Sequence, residues 1–281
     1  MSKKYIILIL VIFGVSILVY KAFELRRAYN AEVQDAFRQY KVAETEILTE
    51  NDISDLPAPV QKYLKYTGVV GKKKVKNFRV VGEGEFKTGQ DKSWVKAKAE
   101  QYNFMDSPRR IYYMKLNMSG LPVVGLHVYK DVTATMLIKV AGLITVGDAK
   151  GKIMNKAETV TVFNDMCLMA PATLIDKRIE WETIDQLTVK GTFNNNGVKI
   201  SALLYFNEKG ELVNFVSNDR YMTTSGNDYK NAPWSTPVVE YKEFNGIKLA
   251  SYGEARWSLP EGDFCYGKIF LKEVEYNLLI N

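Results

Sequence analysis

A chain of 281 residues, 47% hydrophobic and 25% charged, has the composition of an ordinary globular protein with room for one large domain or two small ones. The net charge of +6 sits mostly at one end: residues 1–27 hold five Lys/Arg against one Glu, which leaves +2 for everything after them, so no nucleic-acid partner is expected. Two cysteines and one histidine exclude a disulfide scaffold and any His- or Cys-rich metal site.

The first element is Tyr5–Tyr20, which carries no charge and no proline. Lys3 and Lys4 precede it, and Lys21, Arg26 and Arg27 follow. Extended to Phe23, with the Lys21 ammonium snorkelling to the headgroups, it is long enough to span a bilayer. Ile17–Lys21 offers no small-residue cleavage site, and no cysteine stands nearby to take a lipid. Residues 1–23 therefore read as a retained single-pass transmembrane anchor in the cell membrane, with the bilayer as partner. The flanking charges barely decide orientation. A four-residue tail before a large domain favours an extracytoplasmic domain.

Residues 24–55 read as a juxtamembrane helix and linker. Phe23–Thr49 lacks Gly and Pro, and Leu56-Pro57-Ala58-Pro59 stops it. Pro59–Tyr66 makes a short amphipathic helix ending near Gly68. Lys62, Lys65, Lys72, Lys73, Lys74, Lys76 and Arg79 then form a basic cluster, read as a solvated turn, the alternative being contact with anionic headgroups.

From Val75 the hydrophobic period is two. Phe78, Val80, Gly82, Gly84 and Phe86 share one strand face, and Arg79, Glu83, Glu85 and Lys87 the other. Trp94–Phe104 continues the pattern, as does Arg110–Met118, with Tyr112, Met114, Leu116 and Met118 on one side. Val123–Tyr129 and Thr133–Val146 are further strands. Lys156–Ala170 is a helix, stopped by Pro171 and followed by a short turn at Ala172–Ile175. Asn196-Gly197 and Asn245-Gly246 are type I′ hairpin signals. Asn207–Gly210 joins Val198–Phe206 to Glu211–Val216, and Pro260–Asp263 joins Tyr252–Trp257 to Phe264–Leu278. The expected fold is mainly β (α+β): residues 56–281 form a large curved antiparallel sheet or partly closed barrel of about a dozen strands with one inserted helix. Strands do not alternate with helices, so a doubly wound parallel sheet is excluded.

Motifs for chemistry are few. His127 lies within a strand, and no G-x-S-x-G elbow accompanies it, so it reads as structural. Gly147–Lys152 has one residue too few between its glycines for a phosphate loop and Ile153 where a Ser/Thr would hold magnesium. Gly82-Glu83-Gly84-Glu85 lies in a strand and lacks a third glycine. The acidic pairs Glu83/Glu85 and Glu273/Glu275 read as solvated strand faces. Cys167 and Cys265 stand in apolar surroundings, read as free thiols, with a single bridge as the alternative.

More telling is the helix stripe Val160, Phe163, Cys167 and Ala170, because Asn164 falls inside it beside Asp165. A core-facing amide must find partners. Arg220, after Asn218-Asp219, is the expected one, giving a network of Asn164, Asp165 and Arg220. Aromatics concentrate in the last hundred residues: Trp181, Tyr221, Trp234, Tyr241, Trp257, Tyr266 and Phe270. The expected ligand-binding set is Asn164, Asp165, Arg220, Trp234, Tyr241, Trp257 and Tyr266, with no catalytic residue, metal ligand or cofactor.

The order of anchor, Leu56-Pro57-Ala58-Pro59-Val60-Gln61-Lys62-Tyr63-Leu64, Phe163-Asn164-Asp165-Met166, Ala170-Pro171 and Leu174-Ile175 resembles a family of uncharacterised bacterial membrane-anchored proteins. So do Asp219-Arg220-Tyr221, Pro233-Trp234, Tyr241, and Trp257 with Pro260-Glu261-Gly262-Asp263-Phe264. The likeness spans roughly residues 55–278 and implies a bacterial source and one domain, without an activity. At fold level the pattern is also similar to half-barrel carriers of lipoproteins and lipids, whose curved sheet encloses an apolar cavity under helices. Fold alone does not fix function. The leading expectation is a membrane-tethered, non-enzymatic domain that binds an apolar or amphipathic ligand such as a lipid. Two other classes stand beside it: a carboxylate-dependent hydrolase using Asp165 with Arg220 as anion clamp, and a structural partner in an envelope complex.

Overall fold

The computed structural model describes residues 3–40, 46–223 and 225–279. Helix α1 (Lys3–Ala22) is long and apolar enough to cross a membrane, and none of its apolar window is buried among the described residues. Helical hydrogen bonds run on across the break, from Phe23 N to Val19 O at 3.3 Å and from Arg27 N to Phe23 O at 3.0 Å. Helix α2 (Glu24–Gln39) therefore follows α1 almost directly. It ends well short of Thr49; residues 41–45 lie outside the described residues, and Ile47 already bridges to Lys73. Thr49 caps the short α3 (Glu50–Ile53) through a reciprocal bond with Asp52. Helix α4 (Ala58–Thr67) ends at Gly68, whose φ of +73° supplies the left-handed cap that a side chain resists.

Sixteen strands follow among the described residues. Six come first: β1 (Asn77–Phe86), β2 (Val95–Phe104), β3 (Arg109–Met118), β4 (Leu121–Lys130), β5 (Thr133–Val140) and β6 (Ile144–Lys150). Helix α5 (Lys152–Met169) and a 3-10 turn at Pro171–Ile175 interrupt them. Then come β7 (Ile179–Thr183), β8 (Thr188–Asn195), β9 (Val198–Phe206) and β10 (Leu212–Ser217). Four short pieces follow: β11 (Tyr221–Met222), β12 (Lys230–Asn231), β13 (Trp234–Ser235) and β14 (Val238–Phe244). The long hairpin β15 (Ile247–Leu259) and β16 (Gly262–Tyr276) ends the chain.

All but β11 and β12 join one antiparallel sheet, ordered β6-β5-β4-β3-β2-β1-β16-β15-β13-β10-β9-β8-β7, with β14 on β15. The last strand thus closes on the first, and register breaks at Val81/Gly82, Ile138/Lys139 and Ala255/Arg256 bend the sheet. The expected curved half-barrel with one inserted helix is what forms. Thr133–Val146 is two strands rather than one. Ala141 and Gly142 turn the chain at φ +51° and +69°, and an alanine in that conformation leaves no sequence signal. Both Asn-Gly hairpins form with positive φ at each residue, as type I′ turns require.

Two apolar clusters hold the sheet. On its outer face α2 buries Leu25, Tyr29, Val33 and Ala36 against Phe104, Ile111, Tyr113, Val124 and Leu126. Asp35 fastens it by ion pairs to Arg109 (2.8 Å) and Lys130 (3.1 Å). On the inner face α5 is buried almost all round; Phe163 stacks on Phe193 and meets Phe215 edge-on. The edge strand β6 is tied across to the β10–β13 connection: Asp148 N donates to Ser225 O at 3.1 Å and Tyr229 Oη to Lys150 O at 3.3 Å. Both cysteines are free, Cys167 buried and Cys265 half-buried. Much of the basic cluster is ion-paired, with Lys74 on Glu46 and Asp52, Lys76 on Asp106 and Arg79 on Glu100 and Glu275.

Candidate functional site: a buried charge cluster above an apolar groove

Helix α5 crosses the concave face of the sheet and turns a polar stripe toward β2–β4. Glu158, Thr161 and Asp165 lie on that stripe, the two carboxylates two turns apart. Opposite them, Arg110 begins the inward row of β3. Its Nε donates to Asp165 Oδ2 at 2.8 Å, its Nη2 to Gln101 Oε1 at 3.2 Å, and its Nη1 lies 3.5 Å from Glu158 Oε2. Gln101 and Asn103 on β2 donate to the same Asp165 oxygen at 2.9 and 3.2 Å. From the other wall, Arg220 Nη1 donates to Glu158 Oε1 at 3.1 Å and to Ala157 O at 2.9 Å.

The expected network of Asn164, Asp165 and Arg220 does not form, because Arg220 bonds neither of the other two. Asp165 pairs with Arg110, Arg220 with Glu158, and Asn164 donates to Thr236 Oγ1 at 2.7 Å on another side of the helix. Adjacent residues on a helix point about 100° apart, so Asn164 and Asp165 cannot share one partner group. Two guanidiniums thus meet two carboxylates, a charge-balanced arrangement in which each buried ion has a counterion.

Aromatic side chains continue the wall below Arg220. The guanidinium lies over the Trp234 ring, 5.0 Å from its centroid. Trp234 Nε1 donates to Tyr266 Oη at 3.0 Å, and Tyr266 stacks on Trp257 with centroids 6.0 Å apart. Tyr241 is the exception: its Oη donates to Leu212 O at 2.8 Å and its ring meets Tyr66 of α4, away from the cluster. The structure brings together Asp165, Arg220, Trp234, Trp257 and Tyr266, and leaves Asn164 and Tyr241 outside.

Glu158, Arg110, Gln101, Asn103, Tyr112 and His127 complete the site and were not expected in it. Glu158 is seven residues before Asp165, the spacing of one helix face, and Arg110 has the parity of Tyr112, Met114, Leu116 and Met118. Those two signals were available in the sequence. Tyr112 lies under the Arg110 guanidinium and edge-on to His127 at 5.5 Å.

The electrostatics are those of a deep concavity. His127 and Tyr112 keep part of their surface open. Yet burial holds the His127 pKa down at about 4 and pushes the Tyr112 phenol up to about 12. Burial works against the Glu158 carboxylate, but Arg220 and Arg110 outweigh it and keep its pKa below the usual range. Arg220 Nε is buried, with no hydrogen-bond partner among the described residues.

Below the cluster the concave face turns apolar. The strand registers place Tyr112, Met114, Leu116 and Met118 of β3 beside Ala99 and Ala97 of β2 and Gly125 and Val123 of β4. Phe86 of β1 lies against Gly267 of β16, where an added Cβ would come within 3.0 Å of its ring. Met114, Leu116, Met118, Phe86 and Val95 are half-buried and belong to neither apolar cluster. This is an open groove rather than an enclosed chamber. A separate cavity of about 150 Å³ lies between α4 and the β7–β8 and β9–β10 loops.

Most of the chain, the site residues included, matches a known family. The chain belongs to DUF6544, a family of unknown function. The match runs over residues 46–269, within which every segment quoted from Leu56 to Phe264 falls. None of the curated proteins matches. Among solved structures the chain is similar to a DUF1329 family protein from Desulfovibrio piger at 10% identity and a TM-score of 0.44. That likeness covers 80% of this chain and 94% of the other. It is also similar to a LolA superfamily protein from Nitrosomonas europaea at 9% identity and a TM-score of 0.42, covering 79% and 94%.

Proposed function

We propose that this DUF6544 chain is a membrane-tethered binding domain for an amphipathic ligand with a lipid-like apolar part, and that it is not an enzyme. The observation that carries this reading is the apolar row Met114, Leu116, Met118, Phe86 and Val95 on the concave face, which packs into neither core cluster. Apolar surface left half-open inside a concavity is costly unless something covers it. Unbranched methionines adapt to chains of different shape. At the inner end of the groove, Arg220 supplies a part-open guanidinium for a polar or anionic headgroup. Asp165 and Glu158 are each held by an arginine, which favours a structural ion pair over an acid or base poised for proton transfer. Helix α1 is the tether, and the domain faces away from the cytoplasm.

Native mass spectrometry of the full chain, released from detergent micelles, tests this. The expected spectrum carries one added mass in the lipid range, absent from Ala99→Trp, which fills the groove, and weakened in Arg220→Ala. A spectrum of bare protein, or an adduct unchanged in Ala99→Trp, overturns the reading.

A further inference from the structure

We infer that the open end of the groove is a lip that dips into the bilayer surface, so that ligand enters directly from the membrane; this rests on the tether and ligand readings above. The antiparallel topology puts the β1–β2, β3–β4, β5–β6 and β15–β16 turns at one end of the half-barrel, opposite the end where Arg110 and Asp165 meet. The end of α1 lies at that same rim. Gly142, in the β5–β6 turn, has φ +69°, and a Cβ built on it would fall 2.3 Å from Ala22 O, so the turn sits directly against the last residue of the candidate span. Lys139 beside it pairs with Glu24 at 2.7 Å.

The rim is greasy. Leu121 is 55% exposed, Ile144 65%, Val146 49% and Leu143 41%. These four cluster on the two turns nearest Ala22, and the register puts Leu121 and Ile144 on the concave side, continuous with the groove. Around them stand the groups that sit at headgroup depth: Tyr20 and Arg27, whose guanidinium lies 3.7 Å from the Tyr20 centroid. A membrane-spanning helix that ends level with this rim leaves the lip no farther from the lipid than the helix itself. The occupant is therefore the lipid surface, not a second protein.

Depth-dependent quenching tests it on the full chain in liposomes with a Cys265→Ser background. An environment-sensitive dye is placed at Ile144→Cys and Leu121→Cys, with Phe13→Cys reporting the tether and Glu182→Cys on β7, the opposite edge strand, as reference. Shallow acyl-chain quenchers should suppress emission at Ile144 and Leu121 several-fold more than at Glu182. Equal quenching at all three positions overturns the lip, and an unquenched Phe13 overturns the tether beneath it. Bare protein in the mass spectrum alongside quenched Ile144 overturns the ligand reading and leaves the lip standing.

Discussion

Asp165 gathers three donors, Arg110, Gln101 and Asn103, inside a core that leaves it 3% exposed. Removing one member of such a buried pair strands the other, at about 3–5 kcal/mol. Asp165→Ala and Arg110→Ala should each lower the melting temperature clearly. A double-mutant cycle should find strong coupling between Arg110 and Asp165, strong coupling between Arg220 and Glu158, and little between Arg220 and Asp165. His127 gives a pH dependence of known sign. Its pKa of about 4 in the folded chain lies below the ordinary 6.5, so between these values the unfolded chain takes up a proton that the folded chain refuses. Stability is thus whole above pH 6.5 and falls as pH drops toward 4, by about 3 kcal/mol at most from this ring. His127→Gln should flatten that part of the melting-temperature profile relative to wild type; parallel profiles would show that the ring is not desolvated.

Among the elements, α2 matters more than its polar sequence implies. It covers Phe104, Ile111, Tyr113, Val124 and Leu126 on the outer face of the sheet. A chain beginning at Phe23 should stay monodisperse with mainly β circular dichroism. One beginning near Asn51, which the strand pattern alone would call sufficient, should aggregate; a well-behaved Asn51 chain would show α2 to be an ornament. The contrast shows what was legible. Period-two runs, Asn-Gly turns and the Pro171 stop locate the strands and α5, because each is a local signal. The α2 stripe of Leu25, Tyr29, Val33 and Ala36 is equally periodic, but only the sheet gives it a partner. Site pairs were harder still. Asp165 and Arg220 are individually conspicuous, yet their partners Arg110 and Glu158 are set by sheet register and helix rotation, which no short motif encodes. The aromatic wall of Trp234, Trp257 and Tyr266 was readable as composition, and Tyr241 was misplaced with it because β14 pairs with the Ile247–Gly253 end of β15, away from the Trp257 end that β13 holds.

At the scale of the whole molecule, the end of α1 and the exposed rim lie at one end of the half-barrel and the ion-paired cluster at the other, with the half-buried apolar row between them. The domain is expected to be digested when protease is added to intact spheroplasts; full protection until lysis would reverse the topology. The central claim is that the groove holds a lipid-like chain, and photo-crosslinking addresses it most directly. Full chain in liposomes containing a phospholipid with a diazirine near the acyl terminus would be irradiated and its adducts mapped by peptide mass spectrometry. The account predicts adducts on the concave residues Met114–Met118 of β3 and Phe264–Gly267 of β16 as well as on α1, with the β-strand adducts lost in Ala99→Trp. Adducts confined to α1 would contradict it.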